Sequence, residues 1–168
     1  ILGIFKIPKA SNDIEIDKFS LALDSVSDPG NLGTIIRLSD WFGIKNIYCS
    51  LNTVDCYNPK VVQSSMGSIA RVNCQYLDLG TFLSKYNSIV YGANLNGLSH
   101  YDCLYDQKGI LVLGNESLGI SSQVNEEIDQ FITIMSKADE SNVQSLNVAS
   151  ACAILLGEIF RPQSLFKS

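Results

Sequence analysis

The sequence has no C-x-x-C pair and only one histidine, His100, so a zinc site lacks its usual ligand set. Its five cysteines (Cys49, Cys56, Cys74, Cys103 and Cys152) are scattered and odd in number, which gives no disulfide framework. They read as reduced thiols, and the expected compartment is cytoplasmic. No apolar run approaches the length that crosses a bilayer. There is no polybasic tail either: 12 Lys and Arg stand against 17 Asp and Glu, for a net charge of −5. Bulk electrostatics therefore do not announce a polyanionic partner, which would need a local patch, a second domain or a second subunit. Two nucleotide fingerprints are also missing. No G-x-G-x-x-G turn follows the first strand, and no G-x-x-x-x-G-K-[ST] occurs anywhere. The chain opens on Ile1-Leu2-Gly3 without methionine or signal-peptide layout, which suggests that something N-terminal has been removed.

What is present is a globular composition, 46% apolar and 17% charged over 168 residues, enough for one domain with a sizeable core. Leu21-Ala22-Leu23 is a short apolar run followed by the turn signal Pro29-Gly30. Asn31 stands where a helix cap is wanted, and Ile35, Ile36, Leu38, Trp41 and Phe42 recur at helical spacing up to a stop at Gly43. Further strands are expected at 44–49, 72–77, 88–93, 109–113 and 131–135, with 94–97 a loop. Helices are expected from Asn58-Pro59 to about Ala70, over 81–86, and from Leu146 to Phe160. Strand and helix alternate, so the architecture is α/β with a mostly parallel sheet flanked by helices.

Three polar turns follow apolar strands. In the first, Arg37 sits among apolar helix positions and either pairs with Asp40 or faces a cleft at the carboxyl end of the sheet. The second is Leu113-Gly114-Asn115-Glu116-Ser117-Leu118-Gly119-Ile120, where Glu116 either caps a short helix or presents a carboxylate at a strand end. The third is Ser145-Leu146-Asn147-Val148-Ala149, in which Ser145 can cap a helix whose small first-turn residues allow tight packing or close approach of a ligand. Outside these turns, His100 reads as a surface residue of a polar loop, and Asp24 and Asp28 as turn-shaping residues. Cys103 has no activating cation pattern.

Taken in order, D-x-V-x-D-P-x-N-x-G-x-x-x-R, L-G-N-E-x-x-G-I and S-L-N-V-A resemble the three signature motifs of the SpoU (TrmH-like) RNA 2′-O-ribose methyltransferases. The likeness runs from about Leu21 to Arg161, and Asn58-Pro59-Lys60-Val61-Val62 with Ser65-Met66-Gly67 fits the family's segment between the first two motifs. The resemblance implies a C-terminal part threaded as a deep trefoil knot, S-adenosyl-L-methionine as cofactor, a homodimer and an RNA substrate. Ribosomal RNA is the first expectation and transfer RNA the second; a module of the same fold that binds RNA without turnover is the alternative from another class. It also implies that residues 1–18 form a linker or edge segment after an N-terminal RNA-binding domain, with the methyltransferase domain over 19–168. Carried over position by position, Arg37, Asn31, Glu116, Ser145 and Asn147 fall on catalytic and RNA-facing positions. Ala93, Gly114, Asn115, Glu116, Ile134, Met135 and Leu146 fall on cofactor contacts, and no metal is implied. The chain departs from the pattern at Thr133-Ile134-Met135-Ser136-Lys137, where relatives commonly carry a proline, and in the length of the loop from Lys137 to Gln144.

Overall fold

In a computed structural model of the chain, residues 18–136 and 145–162 are described. All but the last residue of the expected linker over residues 1–18, and the loop from Lys137 to Gln144, lie outside them.

Six strands form one sheet in the order β3-β2-β1-β5-β4-β6. They are β1 (Ser20–Leu23), β2 (Asn46–Ser50), β3 (Asn73–Leu77), β4 (Val90–Ser99), β5 (Ile110–Leu113) and β6 (Gln130–Thr133). Every pairing is parallel. Both faces are covered, and the pleat divides each strand accordingly. Leu21, Leu23, Leu111 and Leu113 join one apolar cluster, whereas Ala22, Ile110 and Val112 join the other. Helices α1 (Pro29–Trp41) and α5 (Val148–Ile159) contribute Leu32, Ile35, Ile36, Cys152, Leu155 and Leu156 to the first cluster. Helices α3 (Leu79–Leu83) and α4 (Ser122–Asn125) supply Leu79, Leu83 and Val124 to the second. Between β2 and β3 lie α2 (Pro59–Ser64) and a 3₁₀ turn (Ser68–Ala70).

Strand β1 pairs with β2 on one side and with β5 on the other, so the chain reverses its direction of winding there. In open α/β sheets such a crevice at the carboxyl ends of the strands is where ligands bind. The first polar turn leaves β1 and the second leaves β5, which makes them neighbours although the sequence separates them widely.

Local chemistry explains where the elements depart from the sequence expectations. Asn31 is not the cap of α1: Asp28 takes that place, accepting the Asn31 backbone N–H at 2.8 Å, with Pro29 in the first helical position. Gly43 ends the helix as expected, with a φ of +75°. Trp41 belongs to no core, being 82% exposed. Helix α2 begins at the Asn58 cap as expected but stops at Ser64 instead of Ala70, because Met66 and Gly67 both take left-handed conformations, at φ +50° and +87°. Strand β4 runs past the expected loop. Ala93 and Leu98 both face Ile132 in register, so residues 94–97 leave the ladder and the strand resumes beyond them. Gly97 is required where it returns, since a Cβ there would strike the Phe131 backbone at 2.7 Å. The cap of α5 is Asn147 and not Ser145. His100 is buried and not on the surface; its backbone N–H and ring Nδ1 both meet the Thr133 carbonyl oxygen, at 2.9 and 3.2 Å.

Candidate active site

The three polar turns meet at Asn31. Its side-chain Nδ2 donates to Glu116 Oε1 at 2.6 Å, and its Oδ1 accepts from Asn147 Nδ2 at 2.8 Å. The Asn147 side-chain Oδ1 is already used, accepting the backbone N–H groups of Ala149 and Ser150 at 3.0 and 3.2 Å. That cap leaves the Asn147 amide only its donor end, and the Asn31 carbonyl is the acceptor it finds. Asn31 must then turn its own donor outward, where Glu116 receives it. The direction of every hydrogen bond follows from the helix cap at one end and the carboxylate at the other.

The second turn is closed on itself. Asn115 and Gly119 exchange backbone hydrogen bonds at 2.9 and 2.8 Å, and Asn115 Oδ1 accepts from the N–H groups of Ser117 and Leu118 at 2.9 and 3.1 Å. Gly119 sits at φ +70°, and Gly114 packs flat against it with no room for a Cβ. Glutamate at 116 is therefore held on a rigid bend and not on a loose loop.

Beside this network is a cavity of about 490 Å³, within the range of small-molecule sites. Of the residues expected at a cofactor, Ala93, Gly114, Asn115, Glu116, Ile134 and Leu146 line it. Ser145 lines it as well. Met135 does not, and it is 60% exposed. Sequence reasoning missed Asn94, Leu95, Leu118 and Ile120 on the wall. A signal existed: Leu95 between two asparagines and Leu118 in a polar turn are apolar residues without a core to join.

Arg37 is outside the cavity and exposed. It lies six residues beyond Asn31, about 9 Å along the helix axis. The alternative of a pair with Asp40 is not realised. Asp40 receives three hydrogen bonds from the Arg71 guanidinium, the shortest 2.6 Å, and one from Ser68 Oγ at 2.9 Å. The Arg71 contacts hold the Asp40 carboxyl below the usual carboxylate range, with Ser68 adding to the effect. Arg37 is thus left to face outward with its charge available.

The thiols offer no competing nucleophile. Burial raises Cys103 and lifts Cys152 to about 12, and thiol-to-thiol hydrogen bonding raises Cys56 and Cys74. Among the described residues no group of His, Cys, Asp and Glu could hold a metal ion, and no helix is long and apolar enough to cross a membrane.

Comparison with known proteins places this geometry in a lineage. A 23S rRNA (guanosine(2553)-2'-O)-methyltransferase of Bacillus subtilis is 32% identical over 142 residues, covering 81% of this chain and 55% of the relative. The solved structure of a Porphyromonas gingivalis chain assigned to the TrmH family of RNA methyltransferases matches with a TM-score of 0.78 at 44% identity, covering 84% of this chain and 59% of that one. An rRNA methyltransferase from Sinorhizobium meliloti, solved with AdoMet bound, matches with a TM-score of 0.78 at 29% identity, over 84% of this chain and 55% of that one. The chain therefore spans a little over half the length of these relatives. The model described as the SpoU rRNA Methylase family matches residues 18–157, and the chain belongs to that family.

Proposed function

We propose that the chain carries the catalytic domain of an S-adenosylmethionine-dependent RNA methyltransferase that modifies a ribose 2′-hydroxyl, with ribosomal RNA as substrate. The observation that carries the reading is the hydrogen-bonded set Asn31, Glu116 and Asn147, of which Glu116 lines the cavity. Ribosomal RNA is preferred to transfer RNA because the Bacillus subtilis relative is named for a 23S rRNA guanosine and the Sinorhizobium meliloti structure for rRNA.

The cavity suits the cofactor in its chemistry. Its wall combines apolar side chains (Leu95, Ile120, Ile134 and Leu146) with the backbone of the 114–119 turn, as an adenosine and a short aliphatic chain require. When bound, S-adenosylmethionine supplies an electrophilic methyl group. Gly114, Asn115 and Leu146 are assigned to hold it, with Ala93 and Ile134 packing alongside. Met135, which does not line the cavity, is left out of this assignment.

Asn31, Glu116, Ser145 and Asn147 are assigned to orient the acceptor ribose. Positioning of this kind is worth several kcal/mol, since well-oriented groups reach effective molarities of about 10⁵ M or more. Arg37 is assigned to grip a phosphate and aim the hydroxyl. Using an arginine as a neutral base near pH 7 would cost about 7 kcal/mol or more, from a reference pKa of about 12.5–13.8. Gripping a phosphate as a cation carries no such cost.

The protein is further proposed to act as a cytoplasmic homodimer. Helices α1 and α5 pack together and leave Trp41 and Ile154 exposed, the apolar surface a second copy would cover. Calorimetric titration with S-adenosylmethionine, followed by transfer of labelled methyl groups to ribosomal RNA, tests the reading. Saturable binding with incorporation at a 2′-oxygen is expected. A folded sample that binds no S-adenosylmethionine would overturn it.

A further inference from the structure

One dipeptide outside the assigned site grips both ends of the turn that forms the cavity wall. Asp24 and Ser25 follow β1, and Ser25 takes a left-handed conformation at φ +60°, uncommon for a residue with a side chain. Its N–H donates to Ser50 Oγ at 2.8 Å, and its carbonyl accepts from Asn115 Nδ2 at 2.8 Å, at the start of the 115–121 turn. The Asp24 carboxylate reaches the other end: Oδ2 accepts the Ser121 N–H at 2.7 Å. Its Oδ1 accepts from Ser25 Oγ at 3.3 Å, and its own N–H donates to the Leu113 carbonyl at 2.9 Å.

Asp24 is only 4% exposed. A buried carboxylate is costly unless its oxygens are satisfied, and among the described residues the partners are a backbone N–H and a hydroxyl, with no cation. Residues 113–120 all line the cavity, and the clamp holds that stretch at Asn115 and just past its end at Ser121. We infer that Asp24 is a positioning residue for the methyl-donor cavity, holding the 114–120 turn in its binding shape through the Ser121 N–H. The inference rests on the reading of that cavity as an S-adenosylmethionine site.

The test compares S-adenosylmethionine affinity in the full chain and in three variants, with the KM for RNA measured at saturating cofactor. Asp24→Ala is expected to weaken cofactor binding at least tenfold while leaving the KM for RNA within twofold. Asp24→Asn keeps an oxygen acceptor for the Ser121 N–H and is expected to restore affinity to within threefold of the wild type. Ser121→Pro removes the same hydrogen bond with Asp24 itself unchanged, setting a ring carbon where the N–H met the carboxylate. Ser121 already has the φ of −64° that proline needs, so this variant decides the matter if Asp24→Ala fails to fold. It too is expected to lose tenfold or more in cofactor affinity. Wild-type affinity in a folded Asp24→Ala or Ser121→Pro protein would overturn the inference alone. Failure of the wild type to bind S-adenosylmethionine would overturn the assignment of the cavity as well.

Discussion

Asn31 and Glu116, 85 residues apart in the chain, share a hydrogen bond of 2.6 Å in which the amide donates and the carboxylate accepts. The polarity of that bond is open to test. In Asn31→Asp the donor becomes a second acceptor, and two carboxylates would face each other. Repulsion then raises the proton affinity of the pair. Methyl transfer should fall at least tenfold near neutral pH, about 1.4 kcal/mol or more of lost transition-state stabilisation. Activity should recover in part as the pH is lowered and the pair takes up a proton. A rate profile against pH for both proteins checks this.

Arg37 separates chemistry from stability. It is exposed and makes no pair with Asp40, so Arg37→Ala should change unfolding stability by no more than about 0.5 kcal/mol. Methyl transfer should nevertheless be abolished, with S-adenosylmethionine affinity kept. Near-normal turnover in this variant would remove Arg37 from the assigned site. Thermal melts and a single-turnover assay on one preparation are enough.

The Asp40–Arg71 pair gives an acid-sensitive contribution of known sign. A carboxyl whose native pKa is depressed stabilises the fold above its unfolded value, and the contribution is lost as the pH falls through the native pKa. Wild type should therefore melt above Arg71→Ala by a constant margin at pH 5 and higher, approximately, and the margin should shrink below about pH 4. Added salt should also narrow it. Melting temperatures across that range provide the check.

Gly33 sets how closely α1 and α2 approach. A Cβ there would run into the Ser64 side chain and would lie 2.8 Å from the Val61 carbonyl oxygen, which belongs to backbone and cannot step aside. Gly33→Ala should destabilise the protein by about 1–3 kcal/mol, as overpacking does. Denaturant unfolding measures it, and a neutral result would mean that α2 shifts freely on α1.

The α/β alternation was legible because β1 and β5 and the start of β4 are compact apolar runs and most helices carry a conventional start. Asn58-Pro59 announced α2, and Gly43 announced the end of α1. Caps were misread where two candidates stood close together. Asp28 outcompetes Asn31, and Asn147 outcompetes Ser145, because each stands at the position from which its oxygen reaches the N–H groups of the first turn. The error at His100 has another cause, since burial depends on neighbours that the local pattern does not contain. The motif residues were identified by type and order, yet only the sheet order, with β1 beside β5, accounts for the contact between Asn31 and Glu116. Asp24 was legible as a turn-shaping residue, but the clamp it forms with Ser25 was not, because the partners at Ser50, Asn115 and Ser121 are remote in the chain.

Asn147 both caps the last helix and supplies the donor that orients Asn31. Completion of the fold and assembly of the polar triad are consequently a single event. While α5 is undocked, Asn31 keeps only its contact with Glu116 and its carbonyl end lacks the Asn147 donor, however well the six strands have paired. Catalytic competence should therefore arrive late during synthesis and refolding, in step with the C-terminal helix, and a partially folded chain would handle no substrate prematurely.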